Sequence, residues 1–339
     1  MKTEKLDSVT DYSGAVKRAA AILESGGIVA IPTETVYGLA ANSFDENAIK
    51  NVFLAKGRPQ DNPLIVHISD MEMLNRVAVN IPKKAYECAE KFWPGPFTMV
   101  LDRHPDIPAS VSAGLDTVAV RMPSDKTAHD IIKASSLPLA APSANLSGLP
   151  SPTSAYHVIA DLDSRIDAVV IGDDCGVGVE STVVSLVGDA PRLLRPGGVT
   201  VEELKTVLPD LIIDKAVLSE PQKGEKVASP GMKYKHYSPK TDTYLVEAES
   251  TDFTDFVNKK QDAAAICFDE EYSGILIHKI SYGTLKDQTS LAHNVFSVLR
   301  KADGFGAKEL FVHAPPKSGV GLAVYNRLVR AAAFKVIKL

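Results

Sequence analysis

The sequence predicts an α/β protein of two units, the first a twisted mixed sheet and the second a smaller three-layer α/β domain of Rossmann-like arrangement. Three observations predict it. Short apolar runs alternate with segments of helical periodicity along the whole chain. The first half holds many strands but few full crossover helices, which argues against a purely parallel sheet. Between about 206 and 240 the pattern is broken by Pro209, Pro221, Pro230 and Pro239 and by clustered lysines, which reads as a linker. The length of 339 residues suits two domains of about 150 residues each.

In order, residues 14–25 carry Ala15, Ala19, Ile22 and Leu23 at helical spacing, and Gly26-Gly27 ends that helix before a buried strand over 28–31. A second helix starts at Asp45, ends at Lys56-Gly57-Arg58-Pro59 and leads to a strand over 64–68. Further strands are expected over 97–101, 117–122, 139–141, 168–171, 181–187 and 192–195, with helices near 83–92, 125–134 and 154–160. Beyond the linker, strands at 243–247, 264–268, 275–280 and 310–313 alternate with helices at 252–260, 289–302 and 320–333.

Composition narrows the function classes. With 45% hydrophobic and 23% charged residues, the chain is neither disordered nor of low complexity. A formal net charge of −5 gives no chain-wide footprint for nucleic acid, so any RNA contact is expected to be local. Cys88, Cys175 and Cys267 are far apart and never form C-x-x-C, so neither a disulfide framework nor a zinc knuckle is encoded. No apolar run approaches the roughly 18 residues of a membrane span, and no signal-like segment follows Met1. A cytoplasmic protein without a membrane partner is the expectation. Walker, H-E-x-x-H, G-x-S-x-G and EF-hand patterns are absent from the sequence.

Several segments place donors and cations after predicted strands, where ligands of α/β proteins bind. Pro32-Thr33-Glu34-Thr35-Val36-Tyr37-Gly38-Leu39 offers Thr33, Thr35 and Tyr37 as donors, or else a turn with locally bonded threonines. Lys56-Gly57-Arg58-Pro59 is either a helix stop or an anion site in which Arg58 forks onto a phosphate, Lys56 adds a point charge and Asn62 joins them. His67 fits a satisfied core histidine. On the strand over 117–122, Thr117, Ala119 and Arg121 share one face, which makes either a pocket wall with Ala119 as its floor or a solvent face. Pro142-Ser143-Ala144-Asn145 and the later Ser151 read as turn composition or as a phosphate or ribose site. Ser181 follows a glycine-containing loop that enters a strand rather than a helix, so it makes no dinucleotide fingerprint. Ser229 to Pro239 interleaves cations with aromatics, as a solvated tether, an RNA patch or a lid.

Taken together and in order, these four strings, from Pro32 to Leu39, Lys56 to Pro59, Pro142 to Asn145 and Ser229 to Pro239, resemble the long two-domain form of the YrdC family. The resemblance implies a YrdC-like catalytic domain over 1–205, a linker over 206–240 that is a candidate active-site lid, and a Rossmann-like accessory domain over 241–339. It implies a nucleotidyltransferase that condenses L-threonine, bicarbonate or CO2 and ATP into L-threonylcarbamoyl-AMP and pyrophosphate. That product feeds N6-threonylcarbamoyladenosine formation on tRNA by other proteins. Carried onto this sequence, the catalytic positions are Lys56, Arg58, Ser143 and Asn145. ATP contacts add Asn62, Thr117, Ser151, Arg195 and Tyr234. Threonine contacts fall on Thr35, His67, Arg121, the backbone at Ala141, and Ser181. Mg2+ is expected to accompany ATP with no protein ligand assigned, and tRNA or downstream tRNA-modification proteins are candidate partners.

The chemistry suits these residues. Attack of a threonine carbamate on the α-phosphorus brings anions together, so preorganised cations and donors carry the catalysis. Two other readings compete. One is carbamoyl-adenylate chemistry on another substrate, as in hydrogenase-maturation proteins with a YrdC-like domain, whose acylphosphatase and zinc-finger regions this chain lacks. The other is an RNA-binding module using a basic groove without adenylate chemistry, against which the acidic overall balance stands.

Overall fold

The computed structural model describes residues 2–219 and 237–339. In the first unit, chain order gives β1 (Glu4–Asp7), β2 (Val29–Ile31), β3 (Gly38–Asn42), β4 (Ile65–His67), β5 (Ala78–Val79), β6 (Phe97–Arg103), β7 (Thr117–Arg121), β8 (Leu139–Ala140), β9 (Ala168–Ile171), β10 (Thr182–Ser185), β11 (Arg192–Arg195) and β12 (Ile212–Ile213). In space they run β1-β9-β2-β3-β8-β4-β7-β6-β10-β11-β12, with β5 against β6. Parallel pairs such as β4/β7 and β6/β10 alternate with antiparallel pairs such as β6/β7 and β10/β11, so the sheet is mixed, as the scarcity of crossover helices implies.

The second unit holds β13 (Asp242–Glu247), β14 (Ala263–Cys267), β15 (His278–Ser281), β16 (Glu309–His313) and β17 (Val336–Lys338). Their order is β15-β14-β16-β13-β17 and every pairing is parallel. Strand alternation sends Leu245, Ile266 and Val312 toward the helices Gln288–Ala302 and Gly321–Ala331, and Val246, Ala265 and Phe311 toward the helix Ser250–Val257. Two apolar layers on opposite faces of one parallel sheet make the expected three-layer domain.

Local chemistry accounts for the boundaries. Asp45 accepts from the N–H groups of Asn47 and Ala48 to start the helix Glu46–Lys56, and Gly57, at φ +60°, ends it in the left-handed region. The strand expected over 275–280 is shorter and later, because Asp269–Gly274 forms a 3-10 turn. Strand β3 lies inside the sheet although its sequence, Gly-Leu-Ala-Ala-Asn, has no β-branched residue. Its flanking partners β2 and β8, not intrinsic preference, make it a strand. Residues 206–217 add β12 to the sheet edge and a turn that buries Val217.

The two units share a core. Val36 and Val179 of the first pack in one cluster with Leu291, Phe296 and Leu328 of the second. At this seam Gly178 has φ +81°, and a Cβ there would lie 2.4 Å from the Cα of His293. Only glycine fits, by both conformation and space. Nearby, Arg300 forks onto Asp161 at 3.0 and 2.8 Å.

Candidate active site

Sheet register brings distant residues into one row. His67 of β4 pairs with Arg121 of β7, Arg121 with Thr98 of β6, Thr98 with Val183 of β10, and Val183 with Arg195 of β11. Directly paired residues point to the same face of a sheet, so a histidine, two arginines and a threonine separated by up to 128 positions in the chain stand side by side. Ser181, two residues before Val183, joins that face, and its hydroxyl lies 2.7 Å from that of Thr98. Arg195 donates to the Ser181 carbonyl at 3.1 Å and to its hydroxyl at 3.2 Å. Ile65, Val100, Ala119 and Val183 form a small apolar cluster beside these polar groups.

Three loops close the row into one cavity. The first follows β2. Within it Thr33 serves the turn, donating to the Val36 carbonyl at 2.7 Å, whereas Thr35 enters the site and accepts from Arg121 Nη1 at 2.8 Å. Tyr37 is a core residue whose hydroxyl donates to the Gly172 carbonyl, not a donor to the cavity. The second loop leaves the helix Glu46–Lys56 and carries Arg58. The third follows β8 and carries Ser143 and Asn145, tied down by Lys56, whose ammonium donates to the carbonyls of Ser143 and of Asn145, the latter at 2.8 Å. Lys56 is therefore a buried clamp between two loops as well as a cation bordering the cavity.

The cavity is short of negative charge. Lys56, Arg58, Arg121 and Arg195 border it, against Glu180, with Glu34 paired to Arg121 at 2.7 Å. Burial, reinforced by Arg58, pushes the Lys56 ammonium well below its ordinary pKa. Burial, with help from Arg327, lowers Arg195 to about 10. Burial opposes ionisation of Glu34, but Arg121 outweighs it and holds the carboxyl below its usual range. Glu180 follows the same logic: Arg327 and then Arg195 overcome its burial and bring it down to about 2. Polar atoms are also left waiting. The Asn62 amide, Asn145 Oδ1 and His67 Nδ1 are buried without a hydrogen-bond partner among the described residues. Buried polar atoms of this kind point to a ligand that completes them.

Burial first, and Arg121 second, drive His67 down to about 3, so its ring is neutral throughout the physiological range. His157 is lowered to about 4, again by burial first and then Arg300. The unfolded chain takes up these protons from about pH 6.5 downward whereas the folded chain does not, so the contribution to stability is complete above that pH and shrinks as pH falls toward 4 and 3. Urea midpoints should therefore drop between about pH 7.5 and about pH 5, and His67→Gln should flatten the drop. Equal slopes for the two proteins would show that His67 is protonated in place.

Among the residues carried over by the resemblance, Thr35, Lys56, Arg58, His67, Arg121, Ala141, Ser143, Asn145, Ser181 and Arg195 border the cavity. The Ala141 N–H is committed to the Ile65 carbonyl at 2.9 Å. Asn62 is buried next to Pro63 of the cavity wall. Ser151 stands behind that wall, donating to Glu180 Oε1 at 2.5 Å. Thr117 does not border the cavity. It shares a face with Arg121 but lies four residues along β7, roughly 13 Å away at the rise of a strand. Tyr234, with the rest of 220–236 in the expected lid, lies outside the described residues.

Three neighbours escaped the sequence reading: Glu34, Glu180 and Arg327. Arg327 carried a usable signal. It falls at helical spacing from Ala323, Val324 and Ala331, inside an apolar stripe where an arginine requires an acidic partner. Tyr237, in the described end of the expected linker, borders the cavity, with its ring packed 5.1 Å from that of Phe296 in the second unit.

Comparison with known proteins agrees with this architecture. Residues 21–197 match the Sua5/YciO/YrdC family model, described as "telomere recombination", and residues 199–333 match the model for the C-terminal domain of threonylcarbamoyl-AMP synthase. The threonylcarbamoyl-AMP synthase of Pyrococcus abyssi is 43% identical, with 96% of each chain covered, and that of Bacillus subtilis is 41% identical over the whole of both chains. The crystal structure of P. abyssi Sua5 complexed with L-threonine superposes with a TM-score of 0.91 at 38% identity, covering all of both chains. No helix among the described residues is long and apolar enough to cross a membrane. With both family models matched in order and both units superposing on a solved relative, this chain belongs to the YrdC family in its long two-domain form, that of the threonylcarbamoyl-AMP synthases.

Proposed function

We propose that this protein is an L-threonylcarbamoyladenylate synthase, an enzyme of the nucleotidyltransferase class. It joins L-threonine, bicarbonate or CO2, and ATP. The threonine nitrogen loses a proton and bonds to the carbon of CO2, or to that of bicarbonate with loss of water. A carbamate oxygen then bonds to the α-phosphorus, and the bond from that phosphorus to the leaving oxygen of pyrophosphate breaks.

The observation that carries the reading is the convergence of four cationic side chains with two buried partnerless polar atoms, Asn145 Oδ1 and His67 Nδ1, on one cavity where the carboxylates of Glu180 and nearby Glu34 are already paired. Such a site is complementary to a polyphosphate and a second anion, and its charge is preorganised where the transition state gains charge. Arg58, Lys56, Asn145 and Ser143 face the phosphates, and Arg195 approaches from β11. Arg121, already bonded to Thr35, has donors to offer a threonine carboxylate. Neutral His67 orients the amino acid without acting as a proton donor. Among the described residues the cavity offers Mg2+ no uncommitted carboxylate: Glu180 accepts from Ser151 and Arg327, and Glu34 is paired with Arg121. Mg2+ is therefore carried by the triphosphate and water, as this hard cation commonly is. The adenylate passes to separate tRNA-modifying proteins that install N6-threonylcarbamoyladenosine.

Pyrophosphate release should require ATP, threonine and bicarbonate together. Omitting any one of them from purified protein tests this, and release that ignores threonine or bicarbonate would sink the reading. A gel shift on tRNA at physiological salt without such release would favour RNA binding instead.

A further inference from the structure

A helix of the second unit places one side chain against Glu180, a residue that borders the cavity of the first. Arg327, on the helix Gly321–Ala331, is fully buried at the seam. Its Nε donates to Glu180 Oε2 at 2.7 Å, its Nη2 to the Glu180 carbonyl at 3.2 Å, and its Nη1 to the Pro196 carbonyl at 2.8 Å. These acceptors belong to the two segments that carry Ser181 and Arg195, each one residue away. Helix neighbours Asn326 and Arg330 fix the approach by donating to the carbonyls of Val217 and Ala216, at 2.5 and 2.7 Å.

Glu180 makes this grip consequential. Glu180 borders a cavity suited to polyphosphate, where an uncompensated negative charge would repel the ligand. If Arg327 did not take the carboxylate, Glu180 would compete with the phosphates for Arg195, the next cation acting on it. We infer that Arg327 is a positioning residue for ATP: it neutralises Glu180, spaces the Ser181 and Arg195 segments, and leaves Arg195 aimed at the nucleotide. The accessory unit thus completes the active site through a buried charge rather than only by covering it. This inference rests on the proposed synthase reading, from which the occupant of the cavity is taken.

The test is ATP affinity of the full chain, measured by calorimetry for wild type, Arg327→Met, Arg327→Lys and the double variant Glu180→Gln/Arg327→Met. Arg327→Met should bind ATP about tenfold or more weakly, because the unpaired acid stays buried beside the ligand. Removing that acid as well should bring affinity back to within about threefold of wild type, a rescue that lost packing alone would not give. Wild-type affinity in Arg327→Met, or a double variant as weak as Arg327→Met, would overturn the inference. Should Arg327→Met fail to fold, Arg327→Lys decides: with its charge kept it should stay within about threefold of wild type, and a tenfold loss counts against neutralisation. Wild-type protein that binds no ATP would overturn the synthase reading itself.

Discussion

Replacing Arg121 with methionine is expected to reduce kcat/KM for threonine by roughly 10–100-fold, the value of a charge-assisted hydrogen bond of about 1.5–3 kcal/mol. Arg121 stands in the row of site residues between His67 and Thr98, bonded to Thr35 at 2.8 Å and to the Gly95 carbonyl at 3.2 Å and paired with Glu34. The same change leaves Glu34 buried without its partner, and breaking a buried pair from one side costs about 3–5 kcal/mol. A fall in melting temperature should therefore accompany the loss of activity. Stability and activity are separable by a second change: Glu34→Gln/Arg121→Met removes the orphaned charge and should regain much of the stability without regaining threonine turnover. An Arg121→Met enzyme with an unaltered threonine KM would show that the carboxylate is held elsewhere.

Arg58→Ala should lower kcat by about 10²–10³-fold, the usual loss on removing one donor aimed at developing charge, with little change in melting temperature. Arg58 is half-buried in the loop just past Gly57, whereas neighbouring Lys56 clamps two carbonyls. Truncating Lys56 orphans those carbonyls, so its effect on turnover is mixed with an effect on folding, and Arg58 is the cleaner probe. Arg58→Lys keeps the charge but loses the planar fork and should fall between the two. Pyrophosphate release at saturating ATP and threonine, read beside a thermal melt, checks both. Turnover within twofold of wild type in Arg58→Ala would remove Arg58 from the phosphate site.

Helix and strand periodicity located most of the elements that carry the site, because β4, β7, β10 and β11 are short apolar runs bounded by turn residues. It missed β3, whose small residues become a strand through their neighbours, and short edge pieces such as β1 and β17 that carry little pattern of their own. Thr33 and Thr35 look interchangeable in sequence, yet one closes a turn and the other meets Arg121. Likewise the string Lys56-Gly57-Arg58-Pro59 proved compatible with both of its readings at once: a helix stop by way of Gly57 and a cationic edge of the cavity.

The linear order of residues was enough to determine two α/β units, their internal periodicities and the short motifs that mark the family, since each is a property of neighbouring residues. Tertiary structure alone decided which polar groups meet. Register aligns His67, Arg121, Thr98 and Arg195 across separate strands, and a helix from the far end of the chain delivers Arg327 to Glu180. Charge pairing and strand registry act through space, over separations that local sequence pattern does not encode.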